Sequence, residues 1–255
     1  MGRFASTVEF YTRFREPYPP AFFRTVAERL SLQGTESLLD VGCGPAPLAI
    51  GLAPFVRGCT GVDPEDGMIA AAAATASSAA VQLTLVHARI EEFPLAESSA
   101  AGSFDIITIG RALHWLDRDK ALPVLQALAS LSAHVLICGA PAIETPESPW
   151  MKPYDDVRHR FAPGPNEQHY KIDGTEWFKG SCFVPVGSVS VTESRQVTIA
   201  ELIGRALSKS NTSPAVLGER RGEFEAEIAE TLKPFGGGGI LHEQIDARAT
   251  IFARR

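Results

Sequence analysis

The chain has 255 residues, 45% of them hydrophobic and 21% charged, with a formal net charge of -6. That length and balance suit a large α/β fold with a small cover, and the acidic charge argues against a nucleic-acid-binding surface. The longest alanine-rich stretch, Ala70 to Ala80, is interrupted by Thr75, Ser77 and Ser78, so no membrane span is expected, and with no secretory leader pattern a cytoplasmic protein is.

The segment from Ser6 to Leu32 is aromatic and arginine-rich around Phe10, Tyr11, Phe14 and Tyr18, and its pattern predicts a helix from Pro20. From Ser37 onward, short apolar runs alternate with helical stretches. Ser37–Val41, Cys59–Val62, Val81–Val86, Phe104–Ile109 and His134–Cys138 read as strands; Leu48–Phe55, Met68–Ala76 and Lys120–Leu131 read as helices. That alternation predicts a parallel sheet covered on both faces, with ligands bound beyond the carboxyl ends of its strands. Prolines at 141, 146, 149, 153, 163, 165 and 185 break the next segment into short helices and loops, which carry Trp150 and Trp177. A strand over Val189–Val197, helices over Ile199–Ser208 and Gly222–Leu232, a glycine turn at Gly236–Gly239 and a strand over Gln244–Ala253 complete the expected order. The four cysteines, Cys43, Cys59, Cys138 and Cys182, have no metal-ligand spacing and read as reduced thiols, mostly buried.

Leu38 to Ile50 carries the most chemistry: an apolar strand ending in Asp40, a turn containing Gly42 and Gly44, and a helix. Glycines without a Cβ accept positive φ and let a ligand approach the backbone, while a helix N-terminus directs its amides to the same place. The dinucleotide fingerprint wants a third glycine where this chain has Pro47. Asp40 adds negative charge that a pyrophosphate would avoid, so a ligand bearing a cation is expected. Asp63, about twenty residues on at the end of the next strand, suits a ribose diol, with helix capping as the alternative.

Leu38–Gly44, Gly61-Val62-Asp63 and Phe104–Asp117 together resemble the class I S-adenosylmethionine-dependent methyltransferases, in particular the small-molecule branch called methyltransferase type 11. The resemblance covers residues 37–140; the aromatic arm Val8–Pro19 and the stretch Ala112–Asp117 also resemble that branch. It implies a Rossmann-like α/β fold with a seven-stranded, mostly parallel sheet whose last strand is antiparallel. The chain is then one methyltransferase domain, with an arm over 1–36, a cofactor-binding core over 37–140, a lid over 141–187 and C-terminal strands and helices over 188–255. S-adenosyl-L-methionine is the implied cofactor and a small molecule the implied methyl acceptor. Asp40, Gly42 and Gly44 would hold the methionine end of the cofactor, Asp63 the ribose, and Pro64 and Met68 the adenine; Met68 reads almost equally as core. Arg89 and Ile90 would bracket the adenine edge, and Gly110 and Arg111 would flank the methionine moiety. Two positions depart from the pattern. Ala46 stands where a glycine is usual, and Arg89 where an acid often meets the adenine amino group; Glu91 either substitutes for that acid or is a solvated charge.

His114, beside Trp115, has the side chain best suited to act as a base, its ordinary pKa lying near 6.5, or else it orients an aromatic wall. His87 and His134 read as core or surface residues. Tyr11, Tyr18, Trp115, His169, Trp177 and Ser208 are candidates for contact with the acceptor, alongside Phe178 and Ser210; Arg13 and Arg15 read as solvated or paired. The rival readings are a non-catalytic S-adenosylmethionine-binding module, an NAD-dependent dehydrogenase, and a methyltransferase acting on RNA or protein.

Overall fold

A computed structural model describes residues 7–93, 102–162 and 174–255. Its helices are α1 (Val8–Phe14), α2 (Pro20–Leu30), α3 (Pro47–Leu52), α4 (Asp66–Ser78), α5 (Arg118–Leu128), α6 (Met151–Phe161), α7 (Gly174–Trp177), α8 (Ile199–Leu207), α9 (Pro214–Leu217) and α10 (Arg221–Leu232). Its strands are β1 (Ser37–Val41), β2 (Gly58–Asp63), β3 (Leu83–His87), β4 (Phe104–Gly110), β5 (Ala129–Gly139), β6 (Ala142–Ile143), β7 (Phe183–Thr198) and β8 (Ile240–Arg254). His169 lies outside the described residues.

The strands join in one sheet in the order β3-β2-β1-β4-β5-β8-β6, with β7 paired to β8, making eight strands among the described residues where seven were expected. The two-residue β6 sits inside the proline-rich stretch, too short to leave an apolar period in the sequence. From β3 to β5 every pairing is parallel, and β8 runs antiparallel to β5. Chain order reverses on either side of β1, which puts the turn after β1 at the switch point where such sheets bind ligands.

The chain forms two compact units. The larger comprises Tyr18–Gly139, Glu167–Val191 and Ala247–Arg255; it contains β1 to β5 and helices α2 to α5. Leu39, Val41, Ile107, Ile109 and Val135 supply its core from the central strands, packed against Leu122, Leu125 and Leu128 on one side of α5. The central strands β1 and β4 are buried almost throughout, as expected of parallel strands covered on both faces. The smaller unit comprises Met1–Pro17, Ala140–Asn166 and Thr192–Asp246. Its core gathers Trp150, Tyr154 and Phe161 with Leu202 and Leu207 of α8 and Phe224, Ile228 and Leu232 of α10. The stretch 141–187, expected as one lid, is thus divided between the two units. All four cysteines are free, with Cys43, Cys59 and Cys138 buried; burial raises the thiol pKa of each.

Candidate functional site

The turn after β1 takes its shape from three left-handed residues in five: Gly42 (φ 62), Gly44 (φ 54) and Ala46 (φ 60). The two glycines take this conformation without steric cost, while an alanine is strained by about 1–2 kcal/mol. Hydrogen bonds compensate: Cys43 donates its amide to the Val62 carbonyl at 3.1 Å, and Ala46 donates to Cys43 at 2.9 Å. Pro47 then opens α3, where a missing N–H costs nothing. Ala46, which stands where a glycine is usual, thus takes the left-handed conformation that a glycine would. Close packing fixes the position of the turn as well: a Cβ on Gly42 would lie 2.6 Å from the Ala112 side chain, and one on Gly61 would lie 2.9 Å from the Cys43 sulfur.

Two carboxylates anchor the turn from below. Asp40 is 1% exposed. Thr108 of β4 donates its hydroxyl to Asp40 Oδ1 at 2.8 Å, and the Ala49 amide donates to Oδ2 at 3.3 Å. Where the sequence led to a carboxylate facing a cationic ligand, both oxygens are engaged inside the protein, so Asp40 fixes the turn and contributes its charge from behind it. Thr108 was not singled out in the sequence; a lone hydroxyl in an apolar strand acquires meaning only through the parallel register, which pairs it with Asp40. Asp63 is 7% exposed. It accepts from the Gly44 amide through Oδ2 and from the Glu65 amide through Oδ1, each at 2.9 Å. Asp63 thus ties the turn after β1 to the end of β2 and does not cap α4, whose N-cap is Glu65 with no side-chain cap hydrogen bond.

Burial pushes the Asp40 carboxyl up to about 7; the Thr108 and Ala49 hydrogen bonds oppose this, and the charge of Asp63 adds to it. Asp63 is also raised, chiefly by burial, against its two backbone hydrogen bonds.

Gly110 and Arg111 end β4 beside the same turn. Gly110 is kept small by Leu48 and Tyr18, which come within 2.6 and 3.3 Å of where its Cβ would be. His114 and Trp115 lie in a single 3-10 turn, Leu113–Trp115, half-buried, with ring centroids 4.7 Å apart. After β3, Ile90 is buried in the core, while Arg89 is exposed and reaches Glu91 at 3.5 Å. Glu91 is not a solvated charge: its side chain is buried and accepts the Asp117 amide at 2.9 Å, linking the turn after β3 to the start of α5. Pro64 is exposed and its carbonyl meets His87 Nε2 at 3.0 Å; Met68 is buried on α4 with Ala72 and Ala76.

The structure thus brings Asp40, Gly42, Gly44, Asp63, Gly110, Arg111 and Tyr18 together at one edge of the sheet. Other candidates fall elsewhere. Trp177 and Phe178 pack edge-to-face in the core of the larger unit, with Phe183 and Phe252 beside Phe178, rather than on an open pocket wall. Ser208 is buried in the smaller unit and its hydroxyl donates to the Arg205 carbonyl at 2.6 Å, closing the end of α8. Tyr11, also in the smaller unit, lies under the Arg15 guanidinium at 4.8 Å. Among the described residues no cluster of His, Cys, Asp and Glu is arranged to hold a metal ion.

Residues 38–133 match the family described as a methyltransferase domain. An uncharacterized methyltransferase of Schizosaccharomyces pombe is 29% identical over 129 residues, covering 48% of this chain and 47% of the relative; the chain thus spans about half the length of that relative. Among solved structures, a candidate type II methyltransferase from Anaeromyxobacter dehalogenans superposes with a TM-score of 0.68 at 21% identity, covering 95% of this chain and 98% of the other. The YcgJ protein of Bacillus subtilis gives a TM-score of 0.57 at 17% identity over 92% and 98%. These structural likenesses bear on the fold.

Proposed function

Starting from residues 38–133 as a class I S-adenosylmethionine-dependent methyltransferase domain, we propose that the chain transfers a methyl group from S-adenosyl-L-methionine to a small-molecule acceptor. The observation that carries this reading is the pair of buried carboxylates behind a glycine turn. Asp40 and Asp63 are acids buried behind the turn, where burial raises both carboxyls and a bound cation would favour their ionised forms, which suits a sulfonium nucleoside better than a pyrophosphate. The residues fit the group. Asp63 accepts two of about four hydrogen bonds open to a carboxylate, which leaves capacity for both ribose hydroxyls. Gly42 and Gly44 present backbone without side chains to the methionine end, with Gly110 and Arg111 across from them. Pro64, Met68, Arg89 and Ile90 border the adenine, and Arg89 is held by Glu91 on that side.

The bound sulfonium supplies an already activated methyl group, so the protein's task is in-line alignment and exclusion of water. His114 is the group suited to take a proton from a hydroxyl or ammonium acceptor, with Trp115 forming an aromatic wall beside it. Tyr18 completes this edge; Tyr11 and Ser208 remain candidates for acceptor contact only by sequence. A cytoplasmic location accords with the absence, among the described residues, of any helix long and apolar enough to cross a membrane. The test is release of S-adenosylhomocysteine with a panel of small hydroxy, amino and carboxylic acceptors. His114→Ala should lower kcat by at least about tenfold with cofactor affinity nearly unchanged. Unchanged turnover in that variant would reduce His114 to part of the wall.

A further inference from the structure

The smaller unit holds a group of charges that the methyl-transfer site does not use. Helix α1 packs closely on α8: a Cβ on Gly204 would lie 2.4 Å from the Phe14 ring, and Arg205 Nε donates to the Phe14 carbonyl at 3.4 Å. Arg15 and Glu16, which follow α1, are thereby set beside the end of α8. Glu16 is buried, and three cations lie around its carboxylate: Lys209 at 3.7 Å and Arg205 at 3.9 Å from Oε1, and Arg15 at 3.9 Å from Oε2. Each distance exceeds a charge-assisted hydrogen bond, about 2.7–2.9 Å, by roughly 1 Å. Arg205 instead closes on Glu243, at 2.6 and 2.8 Å, and Glu243 also meets Arg195 at 3.2 Å.

Arg15 is the member of this group with donors to spare. Its Nε is buried and has no acceptor within hydrogen-bond reach. Among the described residues Glu16 is the one carboxylate within ion-pair distance of it, and Arg205 and Lys209 draw on the same carboxylate. The Tyr11 ring lies 4.8 Å from the guanidinium carbon, covering one face and fixing its plane. The Arg15 backbone N–H donates to the Tyr11 carbonyl at 3.4 Å, which holds the residue at the end of α1. A stacked guanidinium presents its donors around an edge, in the fork geometry that matches a planar carboxylate. The side chain remains 18% exposed, so a small molecule can reach it. A buried donor without an acceptor is costly, and a ligand that supplies the acceptor removes that cost.

We propose that Arg15, stacked on Tyr11 and with Lys209 at the other oxygen of Glu16, forms a site in the smaller unit for the carboxylate of a small acidic molecule. The site stands apart from the S-adenosylmethionine reading, which enters only in deciding whether that acid is the methyl acceptor or a regulatory ligand. Calorimetric titration of the full chain with succinate, glutarate and citrate tests it, with succinamide as the uncharged control. The unaltered chain should bind at least one of the acids saturably and succinamide not at all. Arg15→Gln should weaken that acid at least about tenfold. Arg15→Lys, which keeps the charge and loses the fork, should fall between, and Lys209→Gln should show a smaller loss than Arg15→Gln. S-adenosylhomocysteine affinity should be unchanged in all three variants, which guards against a folding defect. Mass spectrometry after incubation of the bound acid with S-adenosyl-L-methionine assigns its source: a methylated product makes it the acceptor, and recovery of the unaltered acid makes it a regulatory ligand. Binding of none of the acids, succinamide binding as tight as succinate, equal acid binding with and without Arg15, or equal loss of acid and S-adenosylhomocysteine in the variants would overturn the proposal. Failure of the unaltered chain to bind S-adenosylhomocysteine would overturn the methyltransferase reading instead, with the carboxylate titrations still deciding the site.

Discussion

Ala46 and Asp40 show how much of the site depends on single side chains in unfavourable states. Ala46 holds a left-handed conformation with a side chain that gains little by it. Replacement by glycine should stabilise the chain by about 1 kcal/mol, read as a higher denaturant midpoint at constant slope. A loss of stability would mean that the loop needs the alanine methyl for packing. Asp40 gives a pH signature. Its folded pKa, about 7, lies above the ordinary value of 3.8, so its contribution to stability is complete below the lower figure and is lost as pH rises through the higher one. Asp40→Asn imitates the protonated form and removes this dependence. Relative to that variant, the natural chain should become less stable with a slope approaching about 1.4 kcal/mol per pH unit between these limits. A pH-independent difference between the two would show that Asp40 stays ionised when folded. Asp40 was conspicuous in the sequence as a charge at a strand end. Its partner Thr108 was not, because their contact is a matter of register, which a single sequence does not display.

At the scale of elements, the spans of β1, α3, β4 and α10 were legible because each is bounded by a glycine, a proline or a change of hydrophobic period. The ion pairs that hold elements together were not. In the smaller unit, Arg205 of α8 makes two hydrogen bonds to Glu243 of β8, at 2.6 and 2.8 Å, and reaches Glu16 at 3.9 Å. Both partners are buried, and the hydrogen bonds to Glu243 and the charge of Glu16 raise the Arg205 pKa despite its desolvation. Sequence reading passed over this cluster for Arg13 and Arg15, since nothing local distinguishes a buried arginine from a solvated one. Glu243→Ala leaves a guanidinium buried beside one remote carboxylate and should cost about 3–5 kcal/mol in chemical denaturation. The double variant Arg205→Met, Glu243→Leu should recover most of that loss. A cost below about 1 kcal/mol for the single change would mean that water reaches the pair and the unit relaxes around it.

For the molecule as a whole, the alternation of strands and helices over residues 37–140 predicted a parallel sheet, and the switch point followed from the glycine turn. The short β6 and the division of the proline-rich stretch between two units stayed hidden, because prolines mark where elements end and say nothing of what they pack against. The same holds for chemistry. Cofactor features are encoded locally, as glycines and acids at strand ends, whereas an acceptor pocket is assembled from distant side chains such as Trp177, which the fold buries instead. The account therefore stands chiefly on the acidic turn and its preference for a cationic nucleoside. Parallel calorimetric titrations of the unaltered chain with S-adenosyl-L-methionine and with NAD at neutral pH test it most directly. The account predicts saturable binding of the sulfonium nucleoside and none of the dinucleotide; NAD binding without S-adenosyl-L-methionine binding would contradict it.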